Sequence, residues 1–151
     1  NINGTKYKQS EYQYAFDYSC CCATAASIFW SIILGKTVLA PECHAWDNSR
    51  IQSTWYQGKA PKKINGNYYN EMLKILQSDK PCLVHYQDSY GNEHWVTVIG
   101  IANDNTNDLS SKSFLCVDPY TGTTMSLADS MKGQVRKGQK NTFKITQVFY
   151  Y

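Results

Sequence analysis

His94-Trp-Val-Thr-Val-Ile-Gly-Ile101 places His94, Val96, Val98 and Gly100 on one face and Trp95, Thr97, Ile99 and Ile101 on the other. A period of two marks a strand, and Gly91-Asn92 just before it is turn chemistry. Strand-like patterning extends downstream from Pro81. Cys82 to Tyr86 reads as a strand, followed by a turn around Asp88 to Asn92. After His94–Ile101 come a polar loop at Asn103–Lys112, a strand at Phe114–Val117, one or two helical turns at Ser126–Met131 and a last strand over Thr142–Phe149. Upstream of Pro81 the period is helical. Tyr69, Met72, Leu73 and Leu76 fall at i, i+3, i+4 and i+7 within Asn67–Gln77, behind an Asn65-Gly66-Asn67 lead. An earlier helix is predicted over Cys20–Leu34, with Ser19 as N-cap and Gly35 as stop. Residues 1–17 read as a lead-in across the surface, and 36–64 as a long loop region holding at most one short helix. Helices followed by an antiparallel sheet predict an α+β fold, with the cysteine-bearing helix packed on the sheet.

The 151 residues are sized for a single domain over 1–151. An apolar fraction of 42% and a charged fraction of 18% are those of a globular chain. Twelve Tyr and four Trp hint at a polypeptide or ligand groove. The net charge of +3 comes from scattered basic residues, and the densest cluster, Lys59 to Lys63, is interrupted by Ala60 and Pro61. A loop is expected there, and nucleic acid is not an expected partner. No stretch approaches the roughly 18 apolar residues of a membrane span, so direct membrane insertion is not expected. The absence of a signal peptide and an initiating Met predicts a mature fragment or excised domain, with a secreted or delivered bacterial protein favoured.

Six cysteines are many for this length, but they are not spaced as a disulfide framework. Cys20, Cys21 and Cys22 are consecutive, and Cys82 and Cys116 lie inside apolar strand patterns, where buried free thiols are expected. A bridge from Cys20 or Cys22 to Cys43 stays open. There is no Cys-x-x-Cys pair, and Cys43-His44 has no matching pair, so no metal or other cofactor is expected.

Together the segments supply a thiol, an imidazole and a carboxylate. Cys21 at a helix N-terminus would meet unpaired N–H groups and the positive end of the helix dipole, which favour a thiolate. His94 at the mouth of a strand could reach that terminus as base. His85 lies mid-strand, where a structural role is expected, and His44 sits in the irregular third. Asp118 closes the neighbouring strand and could fix the imidazole tautomer, although Asp-Pro is also an ordinary turn start. Gln13, eight residues before Cys21, could donate to an oxyanion beside the Cys21 backbone N–H.

These residues resemble the papain-like cysteine peptidases of bacteria, in particular those that cut double-glycine leaders from bacteriocins and their stand-alone relatives. The family's Cys-Gly-Pro-Thr-(Ser/Ala) run aligns with Cys21-Cys22-Ala23-Thr24-Ala25, and Ile28 takes the later apolar position. Starting from Cys20 would put Ala23 where Thr belongs, so the register selects Cys21. The run is also similar to that of streptopain-type peptidases. Lys80-Pro-Cys-Leu-Val-His-Tyr86, His94-Trp-Val-Thr-Val-Ile-Gly100 and Val117-Asp-Pro-Tyr-Thr-Gly122 look like the family's strand, base-bearing strand and acid-bearing turn. The resemblance spans residues 13–127. It implies a papain-like fold with Cys21 as nucleophile, His94 as base, Asp118 as orienting acid and Gln13 at the oxyanion. Cys22 replaces the usual Gly, Ala23 replaces Pro, and Gln13 lies slightly farther upstream than usual.

The expected activity is peptide-bond hydrolysis through a thioester, with a peptide or protein as substrate and an inhibitor or immunity protein as a further partner. The same triad could serve an acyltransferase of transglutaminase type or a delivered toxin domain. A cell-wall amidase more often carries Asp-Cys-Ser-Gly, and an inactive binding module would be expected to have lost a triad member.

Overall fold

The computed structural model describes residues 21–43, 46–47, 50–51, 54–103 and 106–151. The fold is α+β, with three α-helices and a six-stranded, wholly antiparallel sheet among these residues. In chain order the elements are α1 (Cys21–Leu34), β1 (Trp46–Asp47), β2 (Arg50–Ile51), β3 (Lys62–Lys63), α2 (Tyr68–Gln77), β4 (Cys82–Asp88), β5 (Glu93–Ile101), β6 (Phe114–Asp118), β7 (Thr123–Ser126), α3 (Leu127–Gly133) and β8 (Phe143–Tyr150). β1 and β2 pair with each other, while the large sheet runs β3-β8-β4-β5-β6-β7.

The alternation of β5 divides the molecule into two cores as far as Ile99; a register shift between Val98 and Gly100 then turns Ile101 onto the core of Val96 and Val98, not onto the face expected for it. Val96 and Val98 join Cys82, Val84, Tyr86, Phe114, Cys116 and Val148 on one face, which α2 covers through Met72 and α3 through Leu127 and Met131. Leu83, Trp95, Phe149, Ile99 and Val117 face the other way, against Ala25, Ala26, Ile28, Phe29 and Trp30 of α1. α1 is buried along the whole run Ala23–Trp30. The sheet lies on one side, and Val38, Cys43 and Tyr56 from the irregular third lie on the other. A helix covered all round has no need of a polar face, which is why its apolar residues show no single stripe.

Buried polar groups in α1 are satisfied locally. Ser27 donates to the Thr24 carbonyl at 2.6 Å, and Ser31 to that of Ser27 at 2.6 Å. Thr97 Oγ1 donates to the Ala25 carbonyl at 2.5 Å, tying helix to sheet where a small side chain lets the two approach closely. Trp30 Nε1 donates to the Thr54 carbonyl at 2.8 Å, anchoring the irregular segment to the helix.

The elements depart from the sequence expectations in several places. In α2, Ile75 rather than Leu73 packs on the core beside Tyr68, Tyr69, Met72 and Leu76, so the stripe is rotated from the one predicted. The region 36–64 holds a 3₁₀ turn at Ala40–Glu42 and the short strands β1, β2 and β3. β3 and β7 were not predicted, because short edge strands are held by backbone pairing and carry little apolar alternation. The predicted N-cap Ser19, the helix start at Cys20 and the lead-in 1–17 lie outside the described residues.

Candidate active site

Cys21 is the first described residue of α1, His94 lies one residue into β5, and Asp118 ends β6. The antiparallel register Thr97↔Val117 sets Asp118 across from Val96. Asp118 is therefore the diagonal neighbour of His94 on the same sheet face, within reach for long side chains. Both are almost fully buried, at 3% exposure each. His94 Nε2 and Asp118 Oδ1 are 2.7 Å apart. The Tyr120 backbone N–H donates to the same oxygen at 2.8 Å, and Ser130 Oγ donates to Oδ2 at 2.7 Å. The Thr121 and Gly122 N–H groups close the turn onto the Asp118 carbonyl, at 3.2 and 2.7 Å. The Asp118-Pro119 start of this turn thus also supplies the carboxylate at the histidine.

The Cys21 thiol lies close enough to the His94 ring to favour its protonated form. With Nε2 committed to Asp118, Nδ1 is the nitrogen left for sulfur. Alternation puts His94 on the face covered by α2 and α3, whereas α1 packs on the opposite face. The two groups meet at the end of the sheet where β5 begins and β6 ends.

The electrostatics follow from these partners. Burial disfavours a charged His94 ring, but the Asp118 carboxylate and the Cys21 thiol outweigh it and raise the imidazole to about 9. Burial likewise works against an ionised Asp118, yet His94, Ser130 and the Tyr120 N–H hold its carboxyl below the usual range. An imidazolium is therefore the resting form of His94 at neutral pH.

The neighbouring thiols behave differently. Cys22 is partly exposed as a residue, but burial of its thiol, followed by the nearby Cys21 and Cys43, pushes it upward. Burial also raises Cys43 and Cys116, and Cys82 to about 12. Cys22 and Cys43 are both free, so the bridge left open between them is not formed. His85 contacts the Thr146 hydroxyl and lies 3.5 Å from Glu93, and burial lowers its imidazole. Gln13, Cys20 and His44 lie outside the described residues.

Two buried residues at this site were missed from the sequence. Ser130 donates to Asp118, and Tyr86 Oη lies 2.9 Å from Ser130 Oγ. The Tyr86 ring also meets the His94 ring edge-on, with centroids 5.6 Å apart. A signal was present in each case. Ser130 interrupts the otherwise apolar buried set Leu127, Ser130 and Met131 of α3, and Tyr86 alternates with Cys82 and Val84 on the face that carries His94.

Among the described residues no three His, Cys, Asp or Glu side chains converge as a metal site would require. No described helix is long and apolar enough to cross a membrane. No protein-family model, curated protein or solved structure matches this chain.

Proposed function

We propose that this chain is a cysteine peptidase of papain-like fold, with Cys21 as nucleophile, His94 as acid and base, and Asp118 as the acid that orients it. The observation that carries this reading is one buried imidazole with a carboxylate at 2.7 Å and with the Cys21 thiol near enough to favour its charged form. That constellation suits acyl transfer from a peptide or protein substrate. The Cys21 thiolate attacks the scissile carbonyl carbon, and the C=O electron pair moves onto oxygen. The Cys21 backbone N–H, aided by the Gln13 amide, receives that oxyanion. As the oxyanion collapses, the C–N bond breaks and His94 Nδ1–H gives its proton to the leaving amine, which leaves a thioester. Water then gives a proton to Nδ1 as its oxygen attacks the thioester. The second collapse releases a carboxylic acid and restores the thiolate–imidazolium pair. These steps call for no metal or cofactor.

The test compares wild type with Cys21→Ala and His94→Ala on a complex peptide mixture, with products read by mass spectrometry. Iodoacetamide mapping at neutral pH is run in parallel. Cleavage should vanish in both variants, and Cys21 should label faster than any other thiol. Preferential labelling of Cys20 or Cys22 would refute the assignment. Peptide–amine adducts in place of hydrolysis products would move the reading to an acyltransferase.

A further inference from the structure

We infer that Ser130 and Tyr86 are positioning residues for the reaction, forming a one-way hydrogen-bond chain that holds Asp118 as a carboxylate and keeps a hydrogen on His94 Nε2 in both protonation states of the ring. The inference rests on the peptidase reading above. Its geometric basis is a continuous run of buried contacts across the two layers of the α2/α3 core. Tyr86 Oη and Ser130 Oγ lie 2.9 Å apart, Ser130 Oγ and Asp118 Oδ2 2.7 Å, and Asp118 Oδ1 and His94 Nε2 2.7 Å. Tyr86, Ser130, Asp118 and His94 are each no more than 3% exposed.

Donor arithmetic gives the chain its direction. An ionised carboxylate only accepts, so the single hydroxyl proton of Ser130 goes to Asp118. Ser130 Oγ has no second proton, so Tyr86 must be the donor at their contact. Asp118 Oδ1 takes the Tyr120 N–H and the His94 ring. Because that oxygen can only accept, His94 Nε2 carries a hydrogen, and Nδ1 is the atom that exchanges a proton with Cys21. Protonating Asp118 would set a second donor against one of these donors and leave a buried polar group unsatisfied, which is expensive where water cannot replace the bond. The arrangement makes α3 part of the catalytic apparatus, although none of its side chains reaches the thiol.

The experiment follows the rate of Cys21 alkylation by iodoacetamide against pH, by peptide mapping, in wild type, His94→Ala, Ser130→Ala, Ser130→Thr and Tyr86→Phe. Loss of the Ser130 donor should raise the proton affinity of Asp118 and move the acid limb of the profile to higher pH. The rate on that limb should fall by about tenfold, the scale of one hydrogen bond to a charged group. Ser130→Thr, which keeps the hydroxyl, should restore the limb, and Tyr86→Phe should move it the same way by less. A purely structural role would lower the melting temperature without moving the limb. If His94→Ala alters the profile while Ser130→Ala and Tyr86→Phe match wild type, the chain is refuted and the Cys–His reading stands. If His94→Ala also matches wild type, the reading beneath it fails and takes the inference with it. Should Ser130→Ala not fold, Tyr86→Phe decides, since it removes one donor and keeps the ring.

Discussion

Asp118→Asn separates charge from shape at the proposed site. The Asn carbonyl can take the place of Oδ1 and keep the bonds from His94 Nε2 and Tyr120 N–H, at 2.7 and 2.8 Å in the wild type. Its amide then faces Ser130 Oγ, and the Ser130 proton can turn toward Tyr86. The fold should survive, but the negative charge is lost. A hydrogen bond to a charged partner contributes about 1.5–3 kcal/mol, against about 1 kcal/mol for a neutral one. The difference corresponds to roughly one pKa unit. Burial, the largest influence on His94 and one that opposes its charge, is then less well countered. The His94 midpoint should therefore fall from about 9 by at least about one unit. The sign follows from the raised pKa. Stability from the imidazolium is fully present below the unfolded value of 6.5 and is lost as pH rises through about 9. That amounts to about 3 kcal/mol in the wild type, so wild type and variant should differ more at pH 6 than at pH 10 in urea unfolding. The chain has only three histidines, so ¹⁵N-histidine NMR titration can follow His94 directly, assigned through His94→Ala. Single-turnover acylation by an activated ester should slow in Asp118→Asn, but less than in His94→Ala, because the imidazole that would exchange a proton with Cys21 is still present. An unchanged midpoint together with a wild-type rate would remove Asp118 from the site and leave a Cys–His dyad.

Alkaline unfolding should be steep. Cys43, Cys82 and Cys116 stay protonated in the fold because burial raises them, so above the ordinary thiol value the unfolded chain releases protons that the folded one keeps. Each thiol costs about 1.4 kcal/mol one pH unit above its unfolded pKa, or about 4 kcal/mol for the three; equal unfolding midpoints at pH 8 and pH 10 would contradict their burial. Thr97→Val removes the hydroxyl that donates to the Ala25 carbonyl at 2.5 Å. It should lower stability by about 1 kcal/mol in chemical denaturation, and no loss would mean that packing alone seats α1 on the sheet.

The α+β organisation was legible in the sequence because it depends on local periodicity. Period two over His94–Ile101 and the apolar strand run Cys82–Tyr86 set the central strands within two residues of their observed ends, and the Ala- and Ile-rich run after Cys21 set α1. The edge strands β3 and β7 were not legible, since two lysines or a Thr-Thr-Met-Ser run become strands only when a neighbour offers its backbone. Likewise Leu73 and Ile75 are equally apolar, and which of them turns inward depends on how α2 sits against the sheet.

The candidate site divides in the same way. His94 and Asp118 could be named from the sequence because each stands near the end of a strand, where its backbone setting is local and readable, and Cys21 because the run Cys21–Ala25 resembles the nucleophile segment of papain-like peptidases. Their meeting could not, since it depends on the β5–β6 register and on α1 and β5 bringing Cys21 and His94 to one end of the sheet from opposite faces. Ser130 and Tyr86 were invisible as partners for a related reason. They are 44 residues apart, and a hydroxyl in a core is chemically silent until folding supplies its acceptor. Sequence alone determined which groups could do chemistry. Tertiary structure decided which of them share a proton, because a hydrogen bond is fixed by distances that no local pattern encodes.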